Sequence, residues 1–411
     1  MIERVCILGS SSGRNAGDAA LVAGIMDSVD AACGRRVKYD IPTIKPDFVR
    51  KTYPNDVRPV SMLPWSLSLK MFGLPTFLSV IRSDLSIIFD AVLFDRNLYN
   101  PLFNHMISIR WLLRAAKRRG KHIGCYNVGI GPINTAAGAK VLKDICDLTD
   151  FITVRDDESL AVLKKIGVDT SHTIVTADAA LSVQCPSRER SQQILSELGM
   201  PIAKDILAIN VNAYLATWSE SSRKSMSAEE FAQIYGDALT KVLDQIQVPL
   251  LFVGTQYHDV DISNLVASKV KTNQPIALLS NREYSPYEIK GVLSQVSLLC
   301  GMRLHSVILA SGGLTPVIGI NYQSKVRHYL KRLGLEGYCL NFDDFNVDNL
   351  TAFILQGWQN RSAIRSQLTG KIPELIRESF KAAKIISGIS DGLDINEVLG
   401  KLRQNPSAVN Y

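Results

Sequence analysis

The segment Gly301-Met302-Arg303-Leu304-His305-Ser306 follows a short apolar run and precedes another, Val307-Ile308-Leu309-Ala310. An arginine and a histidine two residues apart at a strand-to-helix junction suit an anionic ligand. The first N–H groups of a helix are unpaired and its dipole favours negative charge there. Two cationic side chains in that turn are therefore disfavoured unless an anion joins them. The pattern predicts a helix from about Met302, with Arg303 and His305 in its first turn. The arginine offers a two-pronged fork for carboxylate or phosphate, and the histidine a transferable proton. A lone histidine beside an apolar run is more often a hydrogen-bonded core residue; the neighbouring arginine argues for the site. Downstream, PVIGINY (316–322) ends at Tyr322, and Lys325 lies where the next helix opens. Lys325 either adds charge to the same pocket or shares a solvated basic face with Arg327, Lys331 and Arg332.

Two further segments carry similar chemistry. In HIGCYNVGIGP (122–132), Gly129 and Gly131 end an apolar run, but a dinucleotide-binding GxGxxG is incomplete because residue 134 is Asn. Arg155 closes the run FITVR (151–155), with Asp156 and Ser159 at the entry of a helix. It binds an anion there, or pairs locally with Asp156 or Asp157. In GSSSGRNAGDAAL (9–21) the glycines permit tight turns and close backbone approach. Asn15 and Asp18 sit where a helix begins, as ligands or simply as caps. The same stretch satisfies G-x-S-x-G, which would make Ser11 a hydrolase nucleophile, although short patterns of this kind often arise by chance. No Lys-Ser or Lys-Thr follows these glycines, so the phosphate-binding loop of the nucleotide triphosphatases is missing.

The elements that must position these residues alternate throughout. Short β-rich apolar runs at 5–10, 36–41, 85–94, 122–131, 151–155 and 172–180 are separated by helical-period segments at about 18–32, 101–119, 135–147 and 157–166. After a polar break the pattern resumes with runs at 206–214, 249–256, 275–280, 296–301, 315–322 and 338–342. Such alternation predicts parallel α/β sheets, whose ligands lie outside the carboxyl ends of the strands. We expect an α/β fold of two Rossmann-like domains facing a cleft, a GT-B-like architecture. The first domain spans 1–183, a linker 184–205, the second domain 206–370, and C-terminal helices 371–411 pack back on the first domain.

Composition narrows the function classes. Of 411 residues, 46% are apolar and 21% charged, as in ordinary globular chains. A net charge of +7 fits an anionic small substrate or an acidic membrane surface and is too weak to imply nucleic acid. Seven scattered cysteines without a CxxC pair, and six dispersed histidines, suggest a reducing compartment and no metal site. The N terminus enters a strand directly without the pattern of a secretory signal, and no 18-residue apolar stretch occurs, so a cytoplasmic protein is expected.

Taken together, Asn15-Ala-Gly17-Asp18, Gly129-Ile-Gly131-Pro132, Val154-Arg155-Asp156, Ala177-Asp178, Gly301-Met-Arg303-Leu304-His305-Ser306 and Pro316–Tyr322 resemble the polysaccharide pyruvyl transferase family, in order and spacing, over about 310 residues. The resemblance implies a GT-B-like fold and phosphoenolpyruvate as co-substrate, with no cofactor or metal. The pyruvyl group would pass to a sugar of a cell-surface polysaccharide or its lipid-linked precursor, forming a ketal and releasing phosphate. Arg303 and Arg155 would bind the donor's anionic groups, His305 would act as general acid, and Asp18 or Asp178 as base. Leu304, Ser306, Asn15, Gly17, Gly129, Gly131, Tyr322 and Lys325 would contribute to substrate binding. The chain departs from the family's pattern at Ile88-Phe89-Asp90-Ala91, where a glycine-rich strand end is usual.

The acceptor side has its own candidates. Residues 62–82 are apolar and aromatic, and 110–121 are dense in Arg and Lys. Together they would lay the first domain on the inner face of an acidic membrane near a lipid-linked sugar; core packing and a solvated face are the plainer readings. The competing function on the same fold is a nucleotide-sugar-dependent glycosyltransferase, for which Glu336 is the available ribose-binding carboxylate. A non-catalytic carbohydrate-binding protein is the remaining alternative.

Overall fold

The computed structural model describes the chain except residues 10, 54–55, 63–72, 90–91, 102, 203, 214–225 and 405–411. Contacts divide it into two units. The first comprises Met1–Gly13, Asp18–Val183 and the chain from Leu375 onward; the second comprises Arg14–Gly17 and Gln184–Glu374.

In the first unit the order is β1 (Arg4–Leu8), α1 (Ala16–Cys33), β2 (Lys38–Thr43), α2 (Pro46–Thr52), β3 (Val57–Ser61), α3 (Leu74–Arg82), β4 (Leu85–Ile88), α4 (Met106–Lys117), β5 (His122–Val128), α5 (Ala136–Cys146), β6 (Phe151–Val154), α6 (Asp157–Lys165) and β7 (Thr173–Val175). The strands form one sheet in the order β3-β2-β1-β4-β5-β6-β7, every pairing parallel. Parallel sheets are covered on both faces, so β1, β4 and β6 are apolar at nearly every position rather than at alternate ones. Helix α4 shows the helical counterpart: Ile109, Leu112, Leu113 and Ala116 are buried in the core with Ile123, Cys125 and Leu142, while the other face is charged. Asp156 caps α6 by accepting from Ser159 N at 2.8 Å, and Thr135 caps α5 by accepting from Gly138 N at 2.9 Å.

The second unit contains α7 (Arg188–Glu197), β8 (Leu207–Asn210), α8 (Ala228–Ile246), β9 (Leu250–Gly254), α9 (Asp259–Lys269), β10 (Ile276–Ser280), α10 (Pro286–Leu293), β11 (Leu298–Gly301), α11 (Leu304–Gly312), β12 (Val317–Asn321), α12 (Ser324–Arg332), β13 (Cys339–Asn341) and α13 (Val347–Gln359). Its sheet runs β10-β9-β8-β11-β12-β13, again all parallel. The stretch 184–205, expected as a linker, includes α7, whose Arg190 pairs with Glu288 of α10 at 2.7 Å. Phe231, Phe342 and Phe345 stack in the core, with centroids 5.2 Å apart for Phe231–Phe345 and 5.0 Å for Phe342–Phe345.

The chain ends in α14 (Arg361–Ser390) and α15 (Ile395–Gln404). Pro373 lies inside α14, and the residues from Leu375 onward group with the first unit. There Asn127, the penultimate residue of β5, donates to Ser379 O at 2.9 Å and accepts from Thr176 Oγ1 at 2.7 Å. No helix among the described residues is long and apolar enough to cross a membrane.

Candidate active site

In each sheet the strand order reverses once, between β1 and β4 and between β8 and β11. The crevice at such a reversal is the ligand site of open parallel sheets. In the second unit the two reversing strands end side by side, with Asn210 of β8 in register with Gly301 of β11. The Gly301–Ser306 segment is built on that point.

Helix α11 begins at Leu304, not Met302, and Arg303 is its N-cap rather than a first-turn residue. The shift follows from Asn210. Its Oδ1 accepts from Arg303 N at 2.8 Å and from Ser306 Oγ at 2.9 Å, while Met302 N donates to Asn210 O at 3.1 Å. Those bonds hold Arg303 extended, with φ −90° and ψ 132°, so the helix starts two residues later, at Leu304. Asn210 Nδ2 in turn donates to Val253 O at 2.8 Å. His305 lies in the first turn, and Ser306 is fully buried.

Arg303 was expected as a fork awaiting an anion, yet Asp259 already meets it. Arg303 Nη2 reaches Asp259 Oδ1 at 2.6 Å, and Nε bonds the other carboxylate oxygen. The pair occupies two of the five N–H donors an arginine carries. Cys300, just before the turn, is no nucleophile: burial pushes its thiol up to about 12, against a hydrogen bond with Tyr235 at 3.5 Å.

The N-terminal motif joins this site. Residues Arg14–Gly17 belong to the second unit by their contacts. Ala16 N donates to Thr255 O at 2.7 Å, Tyr257 N donates to Arg14 O at 3.1 Å, and Asn15 bridges Gln256 in the antiparallel sense. Asn15 also caps α1, accepting from Gly17 N at 2.9 Å. Gly17 lies against the imidazole of His305: a side-chain carbon there would fall 2.3 Å from Nδ1. Asp18 follows in the first turn of α1, half-buried.

In the first unit, Arg155 and Asp178 come together. Their side chains are 7% and 4% exposed and meet at 3.0 Å. Arg155 also contacts Asp156 at 3.3 Å, so both the local and the distant carboxylate engage it. Asp178 Oδ1 accepts from Ala180 N at 2.9 Å, capping a short 3-10 turn where the sequence suggested continued strand. Gly129 is needed here too, since a side-chain carbon on it would fall 2.6 Å from Arg155 Nη2. Gly131 has φ +103°, a conformation that L residues rarely adopt.

The remaining expectations separate clearly. Tyr322 is buried behind β12, Leu304 is half-buried, and Lys325 is exposed on the first turn of α12. Ser11 is buried and its Oγ has no hydrogen-bond partner among the described residues, so no histidine activates it and the hydrolase reading falls. Glu336 is exposed in a short 3-10 turn. Among the described residues no cluster of His, Cys, Asp or Glu could hold a metal ion. Asp90 and Ala91 of the departing segment, and residues 63–72 of the aromatic stretch, lie outside the described residues. Sequence reasoning missed Asn210 and Asp259. Asn210 is a polar residue inside the run 206–214 with nothing local to single it out; Asp259 follows the run 249–256 by three residues.

Comparison with known proteins bears on the family and the fold. The chain is 25% identical over 373 residues to the amylovoran biosynthesis protein AmsJ of Erwinia amylovora, covering 81% of this chain and 86% of that protein. Among solved structures it is similar to a putative UDP-N-acetylglucosamine 2-epimerase of Listeria monocytogenes, with TM-score 0.62, 11% identity and coverage of 96% and 99% of the two chains. It is also similar to Anabaena HepE in complex with UDP and glucose, with TM-score 0.53, 13% identity and coverage of 99% and 100%. Heptosyltransferase II of E. coli gives TM-score 0.50 at 10% identity, covering 88% and 100%. At such identities these structures speak for the GT-B fold alone. The sequence pattern of the polysaccharide pyruvyl transferases matches residues 15–324, from the asparagine that caps α1 to the first residue of α12. On that match, this chain belongs to the polysaccharide pyruvyl transferase family.

Proposed function

We infer that the chain transfers the pyruvyl group of phosphoenolpyruvate to a sugar of a polysaccharide or its lipid-linked precursor. The observation that carries this reading is the joining of three groups at one strand end: the Arg303 fork, the His305 imidazole in the first turn of α11, and Gly17 against that ring. Phosphoenolpyruvate is a small, highly charged anion, and a helix start beside an arginine is suited to it. In this reading Arg303 and the opening N–H groups of α11 hold the donor. His305 gives its proton to the methylene carbon, which makes C2 electrophilic. A sugar hydroxyl adds to C2 and surrenders its proton to a carboxylate. A second hydroxyl displaces phosphate from the same carbon, its proton leaving with the phosphate, and a ketal remains.

Asp18 and Asp178 remain the two carboxylates considered as base, Asp178 being bonded to Arg155 and Ala180. Arg155 is the first unit's anion-binding arginine in this reading. Leu304, Ser306, Asn15, Gly129, Gly131 and Tyr322 shape the binding surfaces, with Lys325 as an outlying charge. AmsJ, by its name, belongs to amylovoran biosynthesis, which supports a glycan acceptor. The outer face of α4, basic and carrying Trp111 at 50% exposure, supports a lipid-linked one.

Calorimetric titration with phosphoenolpyruvate and with UDP-glucose, repeated on Arg303→Ala, tests the reading. Saturable phosphoenolpyruvate binding that the substitution abolishes is expected. UDP-glucose binding without a phosphoenolpyruvate signal would overturn it in favour of a glycosyltransferase.

A further inference from the structure

Asp259 is a buried charged group that the reading above leaves without a task. Its side chain is fully buried, it is the first residue of α9, and it meets Arg303 through both carboxylate oxygens. Oδ1 also accepts from Ala213 N at 3.2 Å. A carboxylate at a helix start is favoured by the dipole. Burying an acid with an arginine is nonetheless a poor route to stability, since desolvation offsets much of the attraction and an apolar pair of the same size is often as stable. What the two-point contact supplies is orientation: it fixes the plane of the guanidinium as well as its position. The other end of the same residue is fixed independently, because Arg303 N donates to Asn210 Oδ1 and Asn210 is tied to Val253 O. Arg303 is therefore clamped at its backbone by the last residue of β8, the strand paired with β11, and at its guanidinium by the residue that opens the helix after β9, on the other side of β8.

We propose that Asp259 is a positioning residue for Arg303, setting the plane in which its fork meets the donor's anionic group. The donor's identity rests on the function inferred above; the positioning role does not. The effect needs a planar fork. A lysine at 303 keeps the charge but has no plane to set, and that difference separates positioning from a general contribution to folding.

Dissociation constants for phosphoenolpyruvate are compared by calorimetry in the full-length wild type, Asp259→Asn, Arg303→Lys and the double variant. The expected result is that Asp259→Asn weakens binding at least about tenfold when residue 303 is Arg, and changes it less than about twofold when it is Lys. Equal losses in both backgrounds, or no loss in either, overturn the proposal. Asp259→Glu restores the charge one methylene displaced and is expected to fall between wild type and Asp259→Asn; it carries the comparison if Asp259→Asn does not fold. A wild type that ignores phosphoenolpyruvate refutes the donor assignment, and the same four proteins are then titrated with UDP-glucose. Loss confined to the Arg background supports positioning with a different donor, whereas equal loss, no loss or no binding overturns it.

Discussion

Gly17 leaves no room for a side chain beside His305: a carbon added to it would lie 2.3 Å from the imidazole Nδ1. Gly17 sits in the first turn of α1, where Gly→Ala would ordinarily stabilise a helix by up to about 1 kcal/mol. The contact predicts the opposite effect on function. In Gly17→Ala the ring must swing away, so pyruvyl transfer falls more than about tenfold while the thermal midpoint stays within about two degrees of wild type. Unchanged transfer with a raised midpoint would make the glycine a helix defect and nothing more.

His305→Asn keeps a polar side chain and removes the proton donor. The transfer rate is expected to fall by about a hundredfold or more, with phosphoenolpyruvate affinity altered far less. Equilibrium binding and single-turnover rates on the same preparation separate the two. A loss carried wholly by affinity would assign the imidazole to binding.

Arg155 and Asp178 form a nearly dry ion pair in the first unit. Breaking a buried pair costs about 3–5 kcal/mol when the other charge is left alone, and Asp156 beside Arg155 places the loss of Asp178 toward the lower end. Asp178→Ala is therefore expected to lower the urea midpoint of the first unit's transition sharply, and Asp178→Asn less so. A loss below about 1 kcal/mol for Asp178→Ala would show that water or a neighbour compensates Arg155.

Asp40 gives the first unit an acid-sensitive point. Its carboxylate lies between Arg4 at 2.8 Å, Arg58, and Ser79 Oγ at 2.6 Å. Burial pushes the carboxyl up, but the hydrogen bonds from Arg58 and Ser79, with the charges of Arg58 and Arg4, more than reverse this and hold it below the ordinary value. Because the folded state depresses this group, its stabilisation is complete above the unfolded carboxyl's value of about 3.9 and is lost as pH falls through the lower folded value. Urea midpoints measured from pH 7 to pH 3 should drop steeply below about pH 4 in wild type. They should drop less steeply in Asp40→Asn, which starts lower at pH 7. Parallel curves would refute the assignment.

The basic face of α4 predicts binding to anionic bilayers. Residues 106–121 include six Arg and Lys and no acid. Arg110 and Arg114 are bridged by Asp144, and Lys117 by Asp150, while Arg118 and Arg119 are exposed beyond the helix end. Arg114 lies over the Trp111 ring at 5.7 Å. Sedimentation with phosphatidylglycerol vesicles should exceed that with phosphatidylcholine and weaken with salt. Arg118→Ala with Arg119→Ala should reduce affinity by more than about tenfold, since each basic residue near such a surface contributes about 1 kcal/mol. Binding indifferent to charge would leave the face merely solvated.

The fold was legible wherever burial on both sheet faces wrote a continuous apolar run, as in Leu207–Asn210 or Leu298–Gly301. It was illegible at β3, where Arg58 and Pro59 interrupt the strand; as an edge strand it tolerates the missing N–H. At the site, adjacency in sequence announced Arg303 and His305 because strand end and helix start are consecutive. Asp259 is 44 residues from Arg303, and no local pattern encodes a pairing between segments that follow β9 and β11, two strands with β8 between them. Asn210 was hidden in the same way, its bonds to Arg303 spanning 93 residues.

The tie between Asn127 and Ser379 joins residues 252 positions apart. Ile2 N likewise donates to Ser390 Oγ at 3.1 Å, and Phe380, Ile385 and Ile386 of α14 are buried in the same unit. During synthesis the ribosome therefore finishes every residue of the second unit through Glu374 before it delivers the helix that closes the first. Until then Asn127 lacks its carbonyl partner and the apolar surface that α14 covers stays wet. The half of the enzyme translated first is the half that matures last, and it is the one in need of protection from aggregation while the chain is still growing.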